Sequence, residues 1–374
     1  MAWGHGTDGA VMGELLCGYP GWPVIRPGRY TGDFMSGKRR DLHRAKLRRE
    51  RILREKRAQG AAAPPACDFG PPGAIQHPFA SERTFREIEA LLEGQKHGSV
   101  DELNARLAEM TSGGRLSEMA SAWKQDDPKW RAQELAYQAL ETGDMMEALR
   151  LVNDALELDP DCTDAQRLMV SLLPATLENR IQLMREVVER AERNLGESFF
   201  EEHTGGFWGT VSTRPYMRAK QHLGELLAEA GNLEEAIGVF ERMLELNPHD
   251  NQGMRYPLLG LYLATNQPAG ASRLMSRYPG EEEFMGSFAW ARVLERWLSG
   301  EWDEAEAALE RARKVNPFAE RYISGAGALP REAPAYYSPG QDSEAQVCAR
   351  ELAAAWQSHP GFREWLRARR QSRG

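Results

Sequence analysis

Apolar residues return every three or four positions along most of this chain. The first clear case is Ser81–Leu92 (SERTFREIEALL), and the same spacing continues with few breaks to Arg370. Such spacing gathers the apolar side chains on one face of a helix. No run alternates apolar and polar residues in the way that a half-buried strand requires. The pattern therefore predicts an all-α fold.

Three segments repeat one set of spacings. Each has a glycine, a small or apolar residue five and again twelve positions later, and a proline seventeen positions later. The sets are Gly143, Ala148, Ala155 and Pro160; Gly231, Ala236, Met243 and Pro248; and Gly300, Ala305, Ala312 and Pro317. Glycine permits a tight turn, the small residue lets two helices approach closely, and proline ends the second helix. The arrangement resembles the tetratricopeptide repeat, a helix pair of about 34 residues.

The intervals between these copies hold weaker ones. Thr163–Leu173 and Leu177–Leu195 are predicted to pair after the first copy, and Tyr256–Ala264 and Ala269–Tyr278 after the second. Stacked in this way, the pairs predict a right-handed α-solenoid of about 4–5 helix pairs with helical caps.

Two segments interrupt or close this series. Residues 196–217 are aromatic and rich in glycine, and their pattern is not helical, so we expect an insert there. Residues 330–374 are expected to form a C-terminal cap, with one helix over Ser343–Gln357 and a last helix from Phe362. A cap is needed because a solenoid has to cover its last open face.

The first 78 residues differ from the rest in composition. They hold 20 Gly or Pro, which predicts disorder, and we place the repeat domain at residues 79–374. Residues 38–57, here called the basic arm, hold eleven Lys or Arg against three acids, whereas the whole chain has a net charge of −8. The candidate contacts of the basic arm are Lys38, Arg39, Arg40, Arg44, Arg48 and Arg49.

Composition narrows the class of protein. Hydrophobic residues make up 41% and charged residues 27% of the chain, and the mean hydropathy is −0.58. No apolar run reaches the ~18 residues of a membrane span, and the start lacks the basic-then-apolar order of a secretory signal. The four cysteines are far apart, as in proteins of a reducing compartment. We therefore expect a cytoplasmic protein with no membrane contact.

The stretch from Gly205 to Arg255, with GGFWGTVSTRPYM and EEAIGVFERMLELNPHDNQGMRY, resembles a group of bacterial tetratricopeptide proteins. That group is distantly related to the eukaryotic suppressor-of-tumorigenicity-seven family. Further matches are Asn316-Pro317 with Tyr322, Leu329-Pro330, and the run from Tyr336 to Gly340. The resemblance implies an interaction module with no catalytic activity. This chain departs from the eukaryotic members in lacking their membrane-spanning segments.

In this repeat family, the second, fifth, ninth and twelfth residues of each first helix face the concave side. The predicted concave residues are Arg218, Gln221, Gln252, Arg255, Tyr262 and Trp290. Arginine can hold a carboxylate in a fork of N–H groups, and aromatic side chains hold apolar ones. The sequence therefore predicts a protein–protein interaction adaptor that binds a protein or peptide segment in this groove.

Two alternatives to an open groove stay possible at this stage. The insert can fold back and fill the groove with Phe207, Trp208 and Tyr216. The basic arm can instead attach the protein to RNA or the ribosome, because clustered cations bind phosphates without regard to sequence.

No cofactor or calcium site is predicted. Gly4–Gly9 and Gly32–Arg39 resemble nucleotide-binding loops, but neither follows a strand. Asp159–Asp164 resembles the start of a calcium loop, but it lacks the required glycine and the final glutamate. Thr163 or Asp164 is expected to cap a helix instead.

Metal binding and catalysis are not predicted either. His222 and Glu225 share a helical face, and His203 lies in the insert, but no further metal ligands can be placed. The chain is therefore not expected to be an enzyme. A catalyst would need a buried cluster with shifted pKa values around His203 or His222.

Overall fold

The computed structural model describes residues 79–92, 105, 124, 126–334 and 336–371. Over these residues the chain is all-α, with 17 α-helices and no strand, which confirms the predicted fold class. The helices are α1 (Ala80–Leu92), α2 (Pro128–Glu141), α3 (Met145–Leu158), α4 (Thr163–Leu172), α5 (Leu177–Leu195), α6 (Glu197–His203), α7 (Arg214–Glu229), α8 (Leu233–Leu246), α9 (Arg255–Ala264), α10 (Pro268–Arg277), α11 (Glu281–Phe284), α12 (Gly286–Leu298), α13 (Trp302–Val315), α14 (Ala319–Ile323), α15 (Asp342–Glu351), α16 (Ala353–Ser358) and α17 (Pro360–Gln371). The predicted disordered segment 1–78, with its basic arm, lies outside the described residues.

Ten of these helices form the five pairs of a tetratricopeptide-like solenoid. The pairs are α2–α3, α4–α5, α7–α8, α9–α10 and α12–α13, and the two helices of each pair pack together. First helices of neighbouring pairs also touch, at α2–α4, α4–α7 and α9–α12. One surface of the stack is therefore built from first helices, and this is the concave surface of such a repeat.

Small residues of the repeat lie where the helices of a pair meet. Ala236 and Ala305 are fully buried. Gly224 of α7 faces Phe240 of α8 so closely that a β-carbon at Gly224 would lie 2.6 Å from the ring. These contacts let α7 and α8 approach closely, as the spacing of small residues predicts.

The turns of the third, fourth and fifth pairs use left-handed backbone, whereas Gly143 in the turn of the first pair does not have a positive φ. Gly231 and Gly300 have φ values of 79° and 74°, a region that residues with a side chain rarely adopt. In the fourth pair Asn266 takes this place, with a φ of 57°. Asparagine tolerates this conformation better than most residues, so the fourth turn forms without glycine.

Two predicted segments differ from the structure. Within the predicted insert 196–217, residues Glu197–His203 are helical and α7 already starts at Arg214, with 3₁₀ turns at Phe207–Gly209 and Val211–Thr213 between them. Short helices of this kind depend on packing, which no sequence period reveals. The predicted helix Ser343–Gln357 is interrupted at Leu352, which separates α15 from α16.

A pair of glycine variants tests the close contact inside the third pair. Gly224→Ala forces a methyl group against the buried Phe240 ring and should destabilise the fold by about 1–3 kcal/mol. Gly238→Ala on α8 meets no atom within 4 Å and should stabilise the fold by up to about 1 kcal/mol, because alanine is the better helix former. Chemical denaturation of both variants measures the difference. Equal effects would contradict the contact.

Candidate functional site

The turns fix which residues face the concave surface. Counted back from Gly231, the concave positions of α7 are Arg218, Gln221 and Glu225. Counted back from Gly300, the same positions of α12 include Trp290. These residues agree with the register that the sequence predicts for the third and fifth pairs.

The fourth pair is shifted by one residue. The first N–H after the turn donates to the carbonyl of Leu227 in the third pair and to that of Tyr262 in the fourth. Tyr262 therefore corresponds to Leu227, which is not a concave position. The Tyr262 ring covers Gly270 of its own pair, and its hydroxyl donates to Glu241 of α8. The structure thus corrects the prediction for Tyr262, because Asn266, which replaces the turn glycine, lies one residue later than the predicted register places the turn.

Helix α1 lies in the groove between α2 and α7. Glu82 of α1 accepts a hydrogen bond from the Tyr137 hydroxyl of α2 at 2.7 Å. It also accepts one from each Nη atom of Arg218 of α7, both at 2.9 Å. The Phe79 ring, just before α1, stacks on Tyr137. Because Tyr137 and Arg218 stand at concave positions, α1 occupies the concave surface of the first three pairs.

Arg218 is held between two carboxylates. Its Nε and Nη2 atoms donate to Asp164 of α4, while both Nη atoms donate to Glu82. Asp164 also accepts from Gln133 at 2.8 Å and lies 3.5 Å from Nε of Arg167. Burial raises the pKa of Asp164, but the two arginines and the hydrogen bonds outweigh it and lower the pKa to about 2. Asp164 therefore belongs to this network, and α4 starts without the side-chain cap expected there.

The wall of the groove that α2 forms binds the basic residues of α1. Arg83 donates to Glu134 at 3.1 Å and to Glu141 at 2.7 Å. The Arg86 guanidinium lies 3.8 Å from the centre of the Trp130 ring and donates to the Trp130 carbonyl. The two arginines thus contact only the α2 wall, whereas Glu82 binds both Tyr137 of α2 and Arg218 of α7.

The C-terminal helices cover the other end of the concave surface, because α15 and α16 pack on α9 and α12. The Ser287 hydroxyl of α12 donates to the Glu351 carboxylate of α15 at 2.5 Å. A β-carbon at Gly260 of α9 would lie 3.1 Å from the Glu351 carbonyl oxygen. The Trp297 ring of α12 contacts Phe362 of α17 edge-on. The predicted cap therefore covers the concave face as well as the last pair.

Burial changes the interpretation of two predicted residues. Trp290 is fully buried, and its Nε1–H donates to the Asn316 carbonyl at 3.2 Å. Arg218 is 7% exposed and satisfied by its two carboxylates. Both residues were predicted to contact a partner, and the structure instead assigns them to contacts within the chain.

A polar stretch remains partly exposed between α1 and the C-terminal helices. The side-chain amide of Gln252 donates to Gln221 at 2.8 Å, and that of Gln221 donates to Glu225 at 2.8 Å. Burial raises the pKa of Glu225, opposed by its bond from Gln221 and by the charge of Arg167. These amides are the predicted groove residues that keep exposed surface.

Arg255 has charged partners in the segments just before and just after its own pair. Its Nη1 atom donates to Asp250 at 3.1 Å, and its Nη2 atom lies 3.3 Å from Glu281. The guanidinium also lies 4.9 Å from the centre of the Tyr256 ring. Asp250 further accepts the backbone N–H groups of Met254 and Arg255 at the start of α9. Charge reversal at Arg255 would therefore disturb the start of α9 before it tests any partner.

The aromatic insert packs beside the helices rather than across the groove. Phe207 is fully buried among Phe199, Phe200 and Tyr216. The Gly205 N–H donates to the carbonyl of the last residue of α8. The predicted filling of the groove does occur within the chain, but α1 and the C-terminal helices provide it.

His222 and His203 lie in different surroundings. Burial lowers the pKa of His222 to about 3, and the charges of Arg167 and Arg180 lower it further, so the ring is neutral at physiological pH. The Nδ1 atom of His222 has no hydrogen-bond partner. His203 stacks on Phe199, and its Nδ1 atom lies 3.1 Å from the Phe199 carbonyl.

Two kinds of site are absent from the described part of the chain. No group of three or more His, Cys, Asp or Glu residues there is placed to hold a metal ion. No helix among the described residues combines the length and apolarity needed to cross a membrane. The basic-arm residues lie outside this part of the chain.

Comparisons with known proteins identify the repeat. Tetratricopeptide repeat family models match residues 189–251 and 227–284, so the chain contains tetratricopeptide repeats there. No curated protein matches the chain. Among solved structures, one titled "Crystal structure of MamA protein" is 17% identical, with a TM-score of 0.34, and the match covers 55% of this chain and 99% of that chain.

Hydrogen exchange tests how α1 is held. Glu82→Gln removes the charge that Arg218 and Tyr137 bind, and it should speed exchange of the α1 amides by about tenfold or more, since a hydrogen bond to a charged group contributes about 1.5–3 kcal/mol. Glu89→Gln on the same helix is the control, because Glu89 accepts one long bond from the Val211 N–H. Similar exchange in both variants would contradict the role of Glu82.

The contact between α15 and α12 predicts a pH dependence. Burial raises the pKa of Glu351 to about 7 from an ordinary 4.5, with the bond from Ser287 opposing and the charge of Glu344 adding. The folded state therefore binds this proton more tightly than the unfolded state. The free energy of unfolding should fall as pH rises from about 4.5 to about 7, by up to about 3 kcal/mol.

Denaturation of Glu351→Gln across this pH range measures that contribution. The variant should lose the decline and be more stable than the wild type above pH ~7, because it carries no charge to bury. Glu364→Gln, on the exposed face of α17, should keep the wild-type slope. The same slope in all three proteins would refute the assignment.

Proposed function

We propose that this chain is a non-catalytic adaptor that binds a segment of a partner protein on the concave surface of its helix pairs. Tetratricopeptide repeats generally mediate protein–protein interactions, and the chain contains such repeats. The observation that carries the proposal is the binding of α1 in the groove. A helix fits between α2 and α7, and residues from both walls bind it.

The chemistry of this surface suits a peptide rather than a small substrate. Its groups are charged and amide side chains spread along several first helices, and they can pair with side chains along a segment. Extended concave surfaces of this kind are the usual binding faces of solenoids. Membership of the suppressor-of-tumorigenicity-seven-like group and a cytoplasmic location stay predictions, because the matching family models describe only the repeat.

Site-specific photo-cross-linking tests the proposed surface. A photoreactive residue at Gln221, between α1 and the C-terminal helices, should cross-link a discrete protein in native lysate after nuclease digestion. The matched control places the same residue at Glu245, which is exposed on α8, a second helix. The control should give no such product, because second helices lie away from the concave surface.

Two other outcomes would count against binding on the concave surface. Equal products from both positions would contradict binding on the concave surface. Products that disappear on nuclease digestion would favour attachment to RNA or the ribosome through the basic arm instead.

A further inference from the structure

The groove already holds a ligand that belongs to the chain itself. We infer that α1 is a displaceable occupant and that the partner segment replaces it with a helix of the same charge order. That order is a carboxylate in the place of Glu82 and a guanidinium, four residues later, in the place of Arg86. The inference rests on the proposed function and names the kind of partner that this groove fits.

The pocket for the carboxylate is built from three residues on two helices. Tyr137 and Arg218 bind Glu82 directly, and Nη1 of Arg214 lies 3.6 Å from its carboxylate. Arg167 and Arg218 pair with Asp164, which stays in place when α1 leaves, and Arg214 adds a third positive charge beside the position of Glu82. The groove without α1 therefore has an excess of positive charge and favours an acidic side chain.

The second wall has the opposite requirement. Glu134 and Glu141 accept from Arg83, and Trp130 presents its ring and its carbonyl to Arg86. If the helix were turned end for end, its arginines would face the arginines of α7, and its glutamate would face the glutamates of α2. The charges on the two walls thus select one orientation, which is the usual contribution of charge to specificity.

The pocket stays satisfied when α1 leaves. Arg218 donates through Nε and Nη2 to Asp164 and through both Nη atoms to Glu82. Loss of Glu82 therefore leaves the arginine paired on its inner side and open to water on the outer side. Removal of one partner is most destabilising when the other charge is left buried and unpaired, and Asp164 prevents this here.

Polar side chains make several of the contacts that hold the helix, and the buried Phe79 ring before it adds an apolar one. Its largest apolar side chain, Phe85, is 52% exposed. The net contribution of each polar contact is smaller than its gross strength because the contact replaces bonds to water. A partner helix with the same charges and a better apolar contact can therefore compete.

The covalent connection to α2 affects the exchange. Between Leu92 and Pro128 lie residues 93–127, which is 35 residues. Because α1 remains part of the same chain, any competitor must overcome the local concentration that this connection gives to α1.

The test uses the full chain with a protease site introduced at Ser112-Gly113 and a fluorescent peptide of residues 79–92. After cleavage, the fragment that carries α1 should dissociate on dilution, and the peptide should bind. The uncut chain should bind the peptide at least about 100-fold more weakly, because the tethered helix competes at high local concentration. Fluorescence anisotropy measures both affinities, and gel filtration measures the release of the fragment.

Two variant peptides test the chemistry. A peptide with Glu82→Gln should bind the cut chain about tenfold or more weakly, since it lacks the charge that the pocket requires. A peptide with Phe85→Ala should bind about as well as the wild type, because this side chain is half exposed. Retention of the α1 fragment after cleavage, or equal affinity of the Glu82→Gln and wild-type peptides, would overturn the inference.

The two proposals can fail separately. If the chain exchanges the peptide but never cross-links a protein from position 221, the displacement of α1 is supported and the proposed function is contradicted. A chain that cross-links from that position but retains its α1 fragment contradicts the displacement of α1 and leaves the adaptor role intact.

Discussion

The buried Arg218 side chain, held between Glu82 and Asp164, is the contact on which the first half of the structure depends. It joins α7 to α4 on one side and to α1 on the other. A buried guanidinium is costly unless carboxylates neutralise it, so this pairing restricts how the three helices can pack. The apolar core divides here as well. One cluster lies among α2, α3 and α4, and a second extends from α4 to the C-terminus. The ion network therefore lies where apolar packing is discontinuous.

The repeat spacing predicted most of the fold because its chemistry is local. Glycine at Gly231 and Gly300 and the small residues Ala236 and Ala305 act within one helix pair, so their spacing is visible in sequence. The predicted helices Thr163–Leu173 and Leu177–Leu195 agree with α4 and α5 to within one residue. The predicted register of the fourth pair was wrong by one residue, because Asn266 replaces the turn glycine. The insert was misjudged for a related reason, since α6 depends on Phe207 packing against its aromatic residues.

The candidate site was only half predictable. The concave positions of the repeat family identify Arg218 and Gln221 on α7. The sequence does not show that Arg218 is already paired with carboxylates of the same chain. Glu82 is 136 residues away from Arg218, and nothing local links them. One signal was available, since α1 carries both acidic and basic side chains on an amphipathic helix. A charged amphipathic helix beside an open solenoid is a natural candidate for the groove. The burial of Trp290 was not predictable for the same reason, because the C-terminal helices that cover this side are distant in sequence.

In an open solenoid each repeat touches only its neighbours, so its units can unfold one after another from the ends. Here α1 joins the first pair to the third, and α15 and α16 bind both α9 and α12. The α1 link spans the first three pairs, and the C-terminal helices bridge the fourth and fifth pairs, so both links brace the concave side of the solenoid. They couple the folding of units that would otherwise behave independently, and they resist the bending through which open solenoids stretch. Removal of α1 from the groove would therefore let the first three pairs bend more easily, whereas the C-terminal helices would still hold the fourth and fifth pairs together.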